Sequence, residues 1–165
     1  MRESPAAVLT ASSAEQTRAL GMQLGAAIKR HADRCIVIAL AGDLGAGKST
    51  FVSGVLRAFG INGPVRSPTY TLIEPYEFEH QSIYHLDLYR LASAAEVEGL
   101  ALRDLMQSGN VLIVEWPERA AGQLPEADVA IQFRYLDAGR ELQVSSSGVV
   151  GTDLTTAVSS SQAGQ

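Results

Sequence analysis

Cysteine and long apolar runs are both scarce in this sequence, and their scarcity excludes several classes of protein. The 165 residues include a single cysteine, Cys35, so no internal disulfide can form, which is typical of a reducing compartment. No run approaches the ~18 apolar residues that a membrane-spanning helix needs. The first residues, MRESPAAVLTASSAEQ, lack the long apolar core of a secretory signal. We therefore expect a cytoplasmic protein without a membrane partner.

Positive charge is scarce as well. The chain has 13 Lys and Arg residues against 18 Asp and Glu residues, which gives a net charge of −5 at pH 7. Proteins that hold nucleic acid directly usually carry a basic surface, and this balance leaves room only for a small local basic patch. It favours another protein over RNA as the direct partner.

Two segments are too apolar to be strands with one face in water. RCIVIALAG (34–42) and VLIVEWP (111–117) are typical of parallel strands covered on both faces. STFVSGVLRAFG follows the first as an amphipathic helix, and ADVAIQFRYL and RELQVSSS alternate like a hairpin. These patterns predict an α/β fold of three layers, with a central, mostly parallel sheet and a C-terminal antiparallel hairpin. Residues 1–147 would form one domain, and residues 148–165 a loose or weakly helical tail.

A glycine-rich turn joins the first apolar strand to its helix. GDLGAGKS (42–49) matches the G-x-x-x-x-G-K-[ST] pattern at every fixed position. In that pattern, successive backbone N–H groups and the positive end of the helix bind a polyphosphate, whose approach a side chain at Gly45 or Gly47 would block. Lys48 would supply charge to the β- and γ-phosphates, and Ser49 a hydroxyl to magnesium. The alternative is a chance glycine loop. The residues expected to bind the nucleotide here are Asp43, Leu44, Gly45, Ala46, Gly47, Lys48, Ser49 and Thr50.

A carboxylate, Glu115, stands at the end of the second apolar strand. Strand ends in an open α/β sheet face the ligand crevice, and a magnesium–nucleotide site needs a carboxylate in addition to the hydroxyl of the loop. Magnesium keeps several of its waters, so we expect contact through a water. The alternative is an exposed acid in a surface salt bridge.

Two further segments offer polar groups to the γ-phosphate end. In RSPTYTL, Thr69 is the better candidate for sensing the γ-phosphate and Ser67 the second; the alternative is a proline-shaped loop whose hydroxyls bond their own backbone. In HLDLYR, His85 and Asp87 share one face of a strand. A buried Asp87 is costly without partners or a task, and it would position the attacking water or bind metal-bound water. For His85 a structural role is favoured. The predicted catalytic residues are Lys48, Thr69 and Asp87.

Four segments, in this order, resemble the bacterial TsaE family, also called YjeE: GDLGAGKST, SPTYTLIEPY, YHLDLYRL and LIVEWPE. The resemblance covers about residues 9–146. It implies a P-loop NTPase-like fold and a magnesium-dependent ATPase that is weak alone, with ATP and Mg²⁺ as cofactors. It also implies a role in threonylcarbamoylation of adenosine 37 in tRNA, with the TsaB–TsaD heterodimer as partner and tRNA reached only through that complex.

The resemblance also assigns roles to individual residues. It places the magnesium ligands on Ser49 and Glu115, a switch-like threonine on Thr69 and the acid of the HxDxYR motif on Asp87. Many relatives carry threonine at the position of Ser49, and both residues offer a hydroxyl. The residues that it implies near the adenine are Ser13, Ala14 and Trp116.

Two other functions fit a phosphate-binding loop. A small-molecule kinase would use the same loop, but it needs a mobile basic lid to exclude water, and none is evident in the sequence. A non-catalytic nucleotide-binding module would not need both Lys48 and Glu115.

Overall fold

A seven-stranded sheet forms the centre of the computed structural model, which describes residues 5–65, 68, 71–120 and 122–162. The strands are β1 (Ala7–Ala11), β2 (Ile36–Ala41), β3 (Ile73–Glu77), β4 (Ser82–Asp87), β5 (Asn110–Glu115), β6 (Val129–Leu136) and β7 (Gly139–Ser146). The helices are α1 (Ala14–Ile28), α2 (Lys48–Ala58), α3 (Leu102–Leu105) and α4 (Gly148–Ser160), with 3₁₀ segments at Lys29–His31, Ala94–Leu100 and Pro117–Ala120.

The sheet is parallel in its middle and antiparallel at both edges. The strand order is β1-β7-β6-β2-β5-β4-β3. The β6–β2, β2–β5 and β5–β4 pairs are parallel, whereas β1–β7, β6–β7 and β3–β4 are antiparallel. The predicted central parallel sheet and C-terminal hairpin are therefore confirmed. Because the parallel strands end at the same edge, Glu115 lies opposite both Leu40 and Asp87.

The central strands are covered on both faces, as their apolar runs predict. In β2, Ile36, Ile38 and Leu40 belong to one core cluster and Val37 to the other. Helices α1, α2 and α4 cover the first cluster. The second is covered by α3, the 3₁₀ segments at Ala94–Leu100 and Pro117–Ala120 and their neighbours. The three layers follow from this double burial.

Helices α1 and α2 pack against each other at unusually short range. Ser13 precedes α1 as its N-cap, and its Oγ accepts a hydrogen bond from the backbone N–H of Gln16 at 3.1 Å. A Cβ atom on Gly21 would lie 2.1 Å from the carbonyl oxygen of Phe51, and one on Gly54 2.1 Å from that of Arg18. Glycine at both contacts therefore fixes the position of α2, whose first turn follows the glycine-rich loop.

The segment after residue 147, expected to be a loose or weakly helical tail, is a helix that packs on the core. Residues Gly148–Ser160 form helix α4, in which Val150, Leu154 and Val158 are buried in the main core. Their spacing of four places them on one helix face, but three apolar side chains among small polar ones give a weak signal in the sequence. Outside the core, the carboxylate of Asp153 accepts hydrogen bonds from Arg30 at 3.0 Å and His31 at 2.8 Å. Within the described ranges, no helix is both long and apolar enough to cross a bilayer.

Replacement of a buried side chain tests the docking of α4. Leu154 is 0% exposed and Val149 is 86% exposed. We expect Leu154→Ala to lower the free energy of unfolding by about 2–5 kcal/mol, because it leaves a cavity in the core. Val149→Ala, on the same helix, should change it by less than about 0.5 kcal/mol. Urea denaturation measures both, and equal, small effects would show that α4 contributes nothing to the core.

Candidate nucleotide site

The glycine-rich loop owes its glycines to backbone conformation as well as to space. Gly42, Gly45 and Gly47 have φ angles of 144°, 77° and 108°, a region in which a Cβ atom is strained. A Cβ atom on Gly42 would also lie 2.8 Å from the carbonyl oxygen of Phe133, and one on Gly45 2.9 Å from the Tyr135 hydroxyl. The loop therefore folds as it does only with glycine at these positions.

Helix α2 begins where the loop ends. Its N-cap is Gly47, which offers no side chain to the free N–H groups of the first turn. These groups, together with the positive end of the helix, are suited to an anion. Of the predicted loop residues, six line a concave surface that can accept phosphate, whereas Asp43 and Ala46 do not line it: the six are Leu44, Gly45, Gly47, Lys48, Ser49 and Thr50.

Lys48 lies at the centre of this surface and is only 5% exposed. Its ammonium donates to the carbonyl oxygens of Gly42 at 2.5 Å and Asp43 at 2.9 Å. It also lies 4.3 Å from the centre of the Trp116 ring. Burial lowers the pKa of the Lys48 ammonium, against the opposing effect of nearby carboxylates, the largest being that of Glu115. A positive charge here gains from an anionic ligand that replaces the lost hydration.

Glu115 is the most enclosed acid of the site, at 2% exposure. Its Oε1 accepts a hydrogen bond from the Ser49 hydroxyl at 3.2 Å, and its Oε2 lies 2.7 Å from Nε2 of His85. The carboxylate is therefore held between the start of α2 and strand β4. The alternative of an exposed acid in a surface salt bridge is excluded by this burial.

The donor set fits a magnesium ion that is bound mainly by a nucleotide. The described residues contain no group of three or more His, Cys, Asp or Glu side chains that could hold a metal by themselves. They do bring a hydroxyl, Ser49, within 3.2 Å of a carboxylate, Glu115, beside the phosphate-accepting loop. One or two protein oxygens combined with phosphate oxygens and waters is the usual arrangement for Mg²⁺.

Asp87 lies in the same cleft, half-buried, at the end of β4. Its Oδ1 accepts a hydrogen bond from the backbone N–H of Tyr89 at 3.0 Å. Burial raises the pKa of the Asp87 carboxyl, an effect that this hydrogen bond opposes and the charge of Glu115 reinforces. A carboxylate with a raised pKa accepts a proton more readily than an ordinary surface acid.

Two cavities flank the loop and share Gly45, Gly47 and Thr50. The first, of about 180 Å³, is lined by Leu44, Gly45, Gly47, Lys48, Ser49, Thr50, Asp87, Glu115 and Trp116. The second, of about 420 Å³, is lined by Ala11, Ser12, Ser13, Ala14, Thr17, Gly45, Gly47, Thr50, Gly139 and Arg140. The first holds the acids and the lysine. The second lies between the turn before α1 and the β6–β7 hairpin.

Comparison with known proteins identifies the family. A family model described as "Threonylcarbamoyl adenosine biosynthesis protein TsaE" matches residues 11–142. The chain belongs to the TsaE family. The tRNA threonylcarbamoyladenosine biosynthesis protein TsaE of Haemophilus influenzae is 40% identical over 132 residues, 80% of this chain and 84% of the relative. The protein of the same name from Bacillus subtilis is 36% identical over 135 residues, 81% of this chain and 82% of the relative.

A solved structure is similar over nearly the whole chain. The crystal structure of Bacillus subtilis YdiB superposes with a TM-score of 0.70 and 29% sequence identity, and covers 94% of this chain and 95% of that one. The P-loop fold expected from the sequence is thus confirmed. Helix α4 lies beyond the residues that the TsaE family model matches.

The structure separates two groups of residues that the TsaE resemblance placed together near the adenine. Ser13 and Ala14 line the second cavity, whereas Trp116 lines the first, beside Lys48. Trp116 has a positive φ of 59°, and its ring lies 4.9 Å from that of Tyr89. Trp116 lies on the side of the acids because it directly follows Glu115 at the strand end, and its place near the adenine stays a prediction.

The described structure leaves one predicted residue untested and adds others. Thr69, and its alternative Ser67, lie outside the described residues. Sequence reasoning missed Tyr135, whose hydroxyl donates to the carbonyl oxygen of Leu44 at 2.7 Å. It also missed Arg140, whose guanidinium stacks on the Tyr135 ring at 4.2 Å. Only the polar residues at the hairpin tip hinted at this contact with the loop.

Proposed function

We propose that this TsaE-family protein binds ATP with Mg²⁺ at the glycine-rich loop and hydrolyses it, in support of threonylcarbamoylation of adenosine 37 in tRNA. The observation that carries the proposal is the convergence of Lys48, Ser49 and Glu115 at the start of α2, within one cavity. The names of the curated relatives refer to tRNA threonylcarbamoyladenosine biosynthesis. They support the assignment to that pathway.

The triphosphate would lie along the loop, with its β- and γ-phosphates at Lys48. The Lys48 ammonium donates hydrogen bonds to two loop carbonyls. These bonds hold it in the loop, where a phosphate would compete with the carbonyls for it. Ser49 and Glu115 would hold Mg²⁺, which when bound neutralises charge on the phosphate oxygens. The adenosine would then extend into the second cavity, towards Ser13, Ala14 and Arg140.

Asp87 is the residue we assign to the attacking water. It lines the same cavity as Lys48 and Glu115, and its pKa is raised by burial. In this position it would orient the water and accept its proton, and Lys48 would stabilise the charge that develops on the γ-phosphate.

We further propose that the TsaB–TsaD heterodimer is the partner and that tRNA is reached only through it. The net charge of −5 is unfavourable for direct contact with RNA. Large apolar side chains are exposed around the loop and its flanking strands: Leu44 at 68%, Tyr89 at 41%, Tyr135 at 49% and Leu136 at 41%. Leu44 lines the first cavity, Tyr89 packs against Trp116 and Tyr135 bonds Leu44. Exposed apolar and aromatic groups beside the cavity suit a protein surface that closes over the nucleotide.

Removal of the lysine tests ATP binding. Lys48→Ala should weaken ATP binding at least about tenfold, because a charge-assisted contact with phosphate is lost. The control is Lys29→Ala, the only other lysine, which contacts Phe59 at 5.0 Å outside the site and should leave the affinity unchanged. Isothermal titration calorimetry measures both. An unchanged affinity in Lys48→Ala would contradict the assignment of the loop.

Phosphate release, with and without TsaB–TsaD, tests hydrolysis and partnership together. The wild-type protein should release free phosphate slowly alone and faster with the pair. Asp87→Asn should bind ATP normally yet hydrolyse it about 10²-fold more slowly or worse. Phosphate that appears only on an acceptor molecule would indicate a kinase instead.

The thermal stability of Asp87→Asn separates catalysis from folding. The raised pKa means that burial of the carboxylate costs stability above that pKa. This cost disappears below the ordinary value of 3.8, where folded and unfolded chains are both protonated. The variant should therefore be as stable as the wild type or more so at pH 7, and the difference should vanish in acid. If Asp87→Asn is unfolded at pH 7, Asp87 has a structural role and the catalytic assignment is contradicted.

A further inference from the structure

The pair formed by His85 and Glu115 is buried more deeply than the rest of the site. His85 is 0% exposed and Glu115 2%, and Nε2 of the histidine lies 2.7 Å from Oε2 of the carboxylate. Burial of a carboxylate is expensive unless hydrogen bonds replace its hydration. A histidine on an apolar strand is usually structural, but this one contacts an acid of the candidate site.

The register of the sheet explains why the two side chains meet. In the parallel pair β4–β5, His85 lies opposite Ile113, and Asp87 opposite Glu115. His85 therefore lies two residues before the end of β4, on the same face of the strand as Asp87. Ser49 reaches Glu115 from the other side, at the start of α2. Each carboxylate oxygen has its own partner, Oε2 the histidine and Oε1 the serine.

The hydrogen bonding of the ring fixes which nitrogen carries the proton. Nδ1 of His85 is buried and has no hydrogen-bond partner among the described residues. An N–H group there would be buried without an acceptor, which is costlier than an unshared lone pair. The proton therefore lies on Nε2, which donates to Oε2 of Glu115.

We propose that His85 is a positioning residue, which holds the Glu115 carboxylate so that Oε1 faces Ser49 and the metal–nucleotide site. This rests on the proposed function. With Oε2 occupied by the imidazole, Oε1 is the oxygen presented to Ser49. Without the imidazole, the carboxylate is free to rotate and Oε2 seeks a new donor. Loss of a side chain that hydrogen-bonds a metal ligand typically lowers metal affinity about 10–100-fold.

Two variants distinguish positioning from mere filling of space. The side-chain amide of His85→Gln places an N–H donor near the position of Nε2, whereas that of His85→Asn is too short to reach Oε2. Trp116 is the only tryptophan and lines the cavity, so its fluorescence reports binding of a non-hydrolysable ATP analogue. The quantity to compare is the factor by which saturating Mg²⁺ tightens binding of the analogue.

We expect His85→Asn to reduce this factor about tenfold or more, with little change in analogue affinity without Mg²⁺, and His85→Gln to restore it to within about threefold. Equal factors in all three proteins would overturn the inference while leaving the nucleotide site intact. A wild-type protein that binds the analogue with no help from Mg²⁺ would refute the proposed metal role and with it this inference.

A measurement on the wild-type protein covers the case in which His85→Asn fails to fold. The ¹⁵N chemical shifts of the ring identify the protonated nitrogen, and the loss of a signal in His85→Gln assigns it among the three histidines. We expect the Nε2–H form, and the Nδ1–H form would overturn the inference. If His85→Asn does not fold, a His85→Gln protein that folds but loses the Mg²⁺ effect would overturn it as well.

Discussion

A buried carboxylate at the end of β5 is the constraint on which this site depends. Glu115 is almost fully enclosed and is kept there by one hydrogen bond from the start of α2 and a contact with a histidine on β4. Neither contact exists unless the strands are parallel and in register and α2 follows the glycine-rich loop closely. The geometry of the site therefore depends on the fold. The sheet supplies the acids, and α2 supplies N–H groups, a lysine and a hydroxyl.

The two cavities divide the loop into chemically different ends. On one side, close to the strand ends, the cavity is lined by one basic side chain, Lys48, and two acidic ones, Asp87 and Glu115. On the other, the turn before α1 and the β6–β7 hairpin form a roomier cavity with few charges. Tyr135 connects them, because its hydroxyl bonds the loop at Leu44 while its ring stacks with Arg140. A nucleotide, charged at its phosphate end and uncharged at its nucleoside end, would match this division.

Much of the fold and the conformation of the glycine-rich loop could be predicted because they depend on local patterns. The continuous apolar runs around Ile38 and Ile113 indicate strands buried on both faces, and the loop is specified by closely spaced glycines with Lys48. The packing of α4 on the core was not predicted, because its apolar residues, Val150, Leu154 and Val158, are diluted by small polar ones. The cavity that Trp116 lines could not be predicted, because a residue that follows a strand end can point either way. The contacts of His85 and Tyr135 depend on strand register and hairpin placement, which no short pattern encodes.

We have proposed that the glycine-rich loop binds the phosphates of ATP with help from Lys48, Ser49 and Glu115. A crystal structure of the protein with magnesium and a non-hydrolysable ATP analogue tests it most directly. We expect phosphate oxygens against the backbone N–H groups of residues 44–49 and a metal ion at the Ser49 hydroxyl, with Glu115 bound to it directly or through a water. A nucleotide bound elsewhere, with Lys48 still hydrogen-bonded to Gly42 and Asp43, would contradict it.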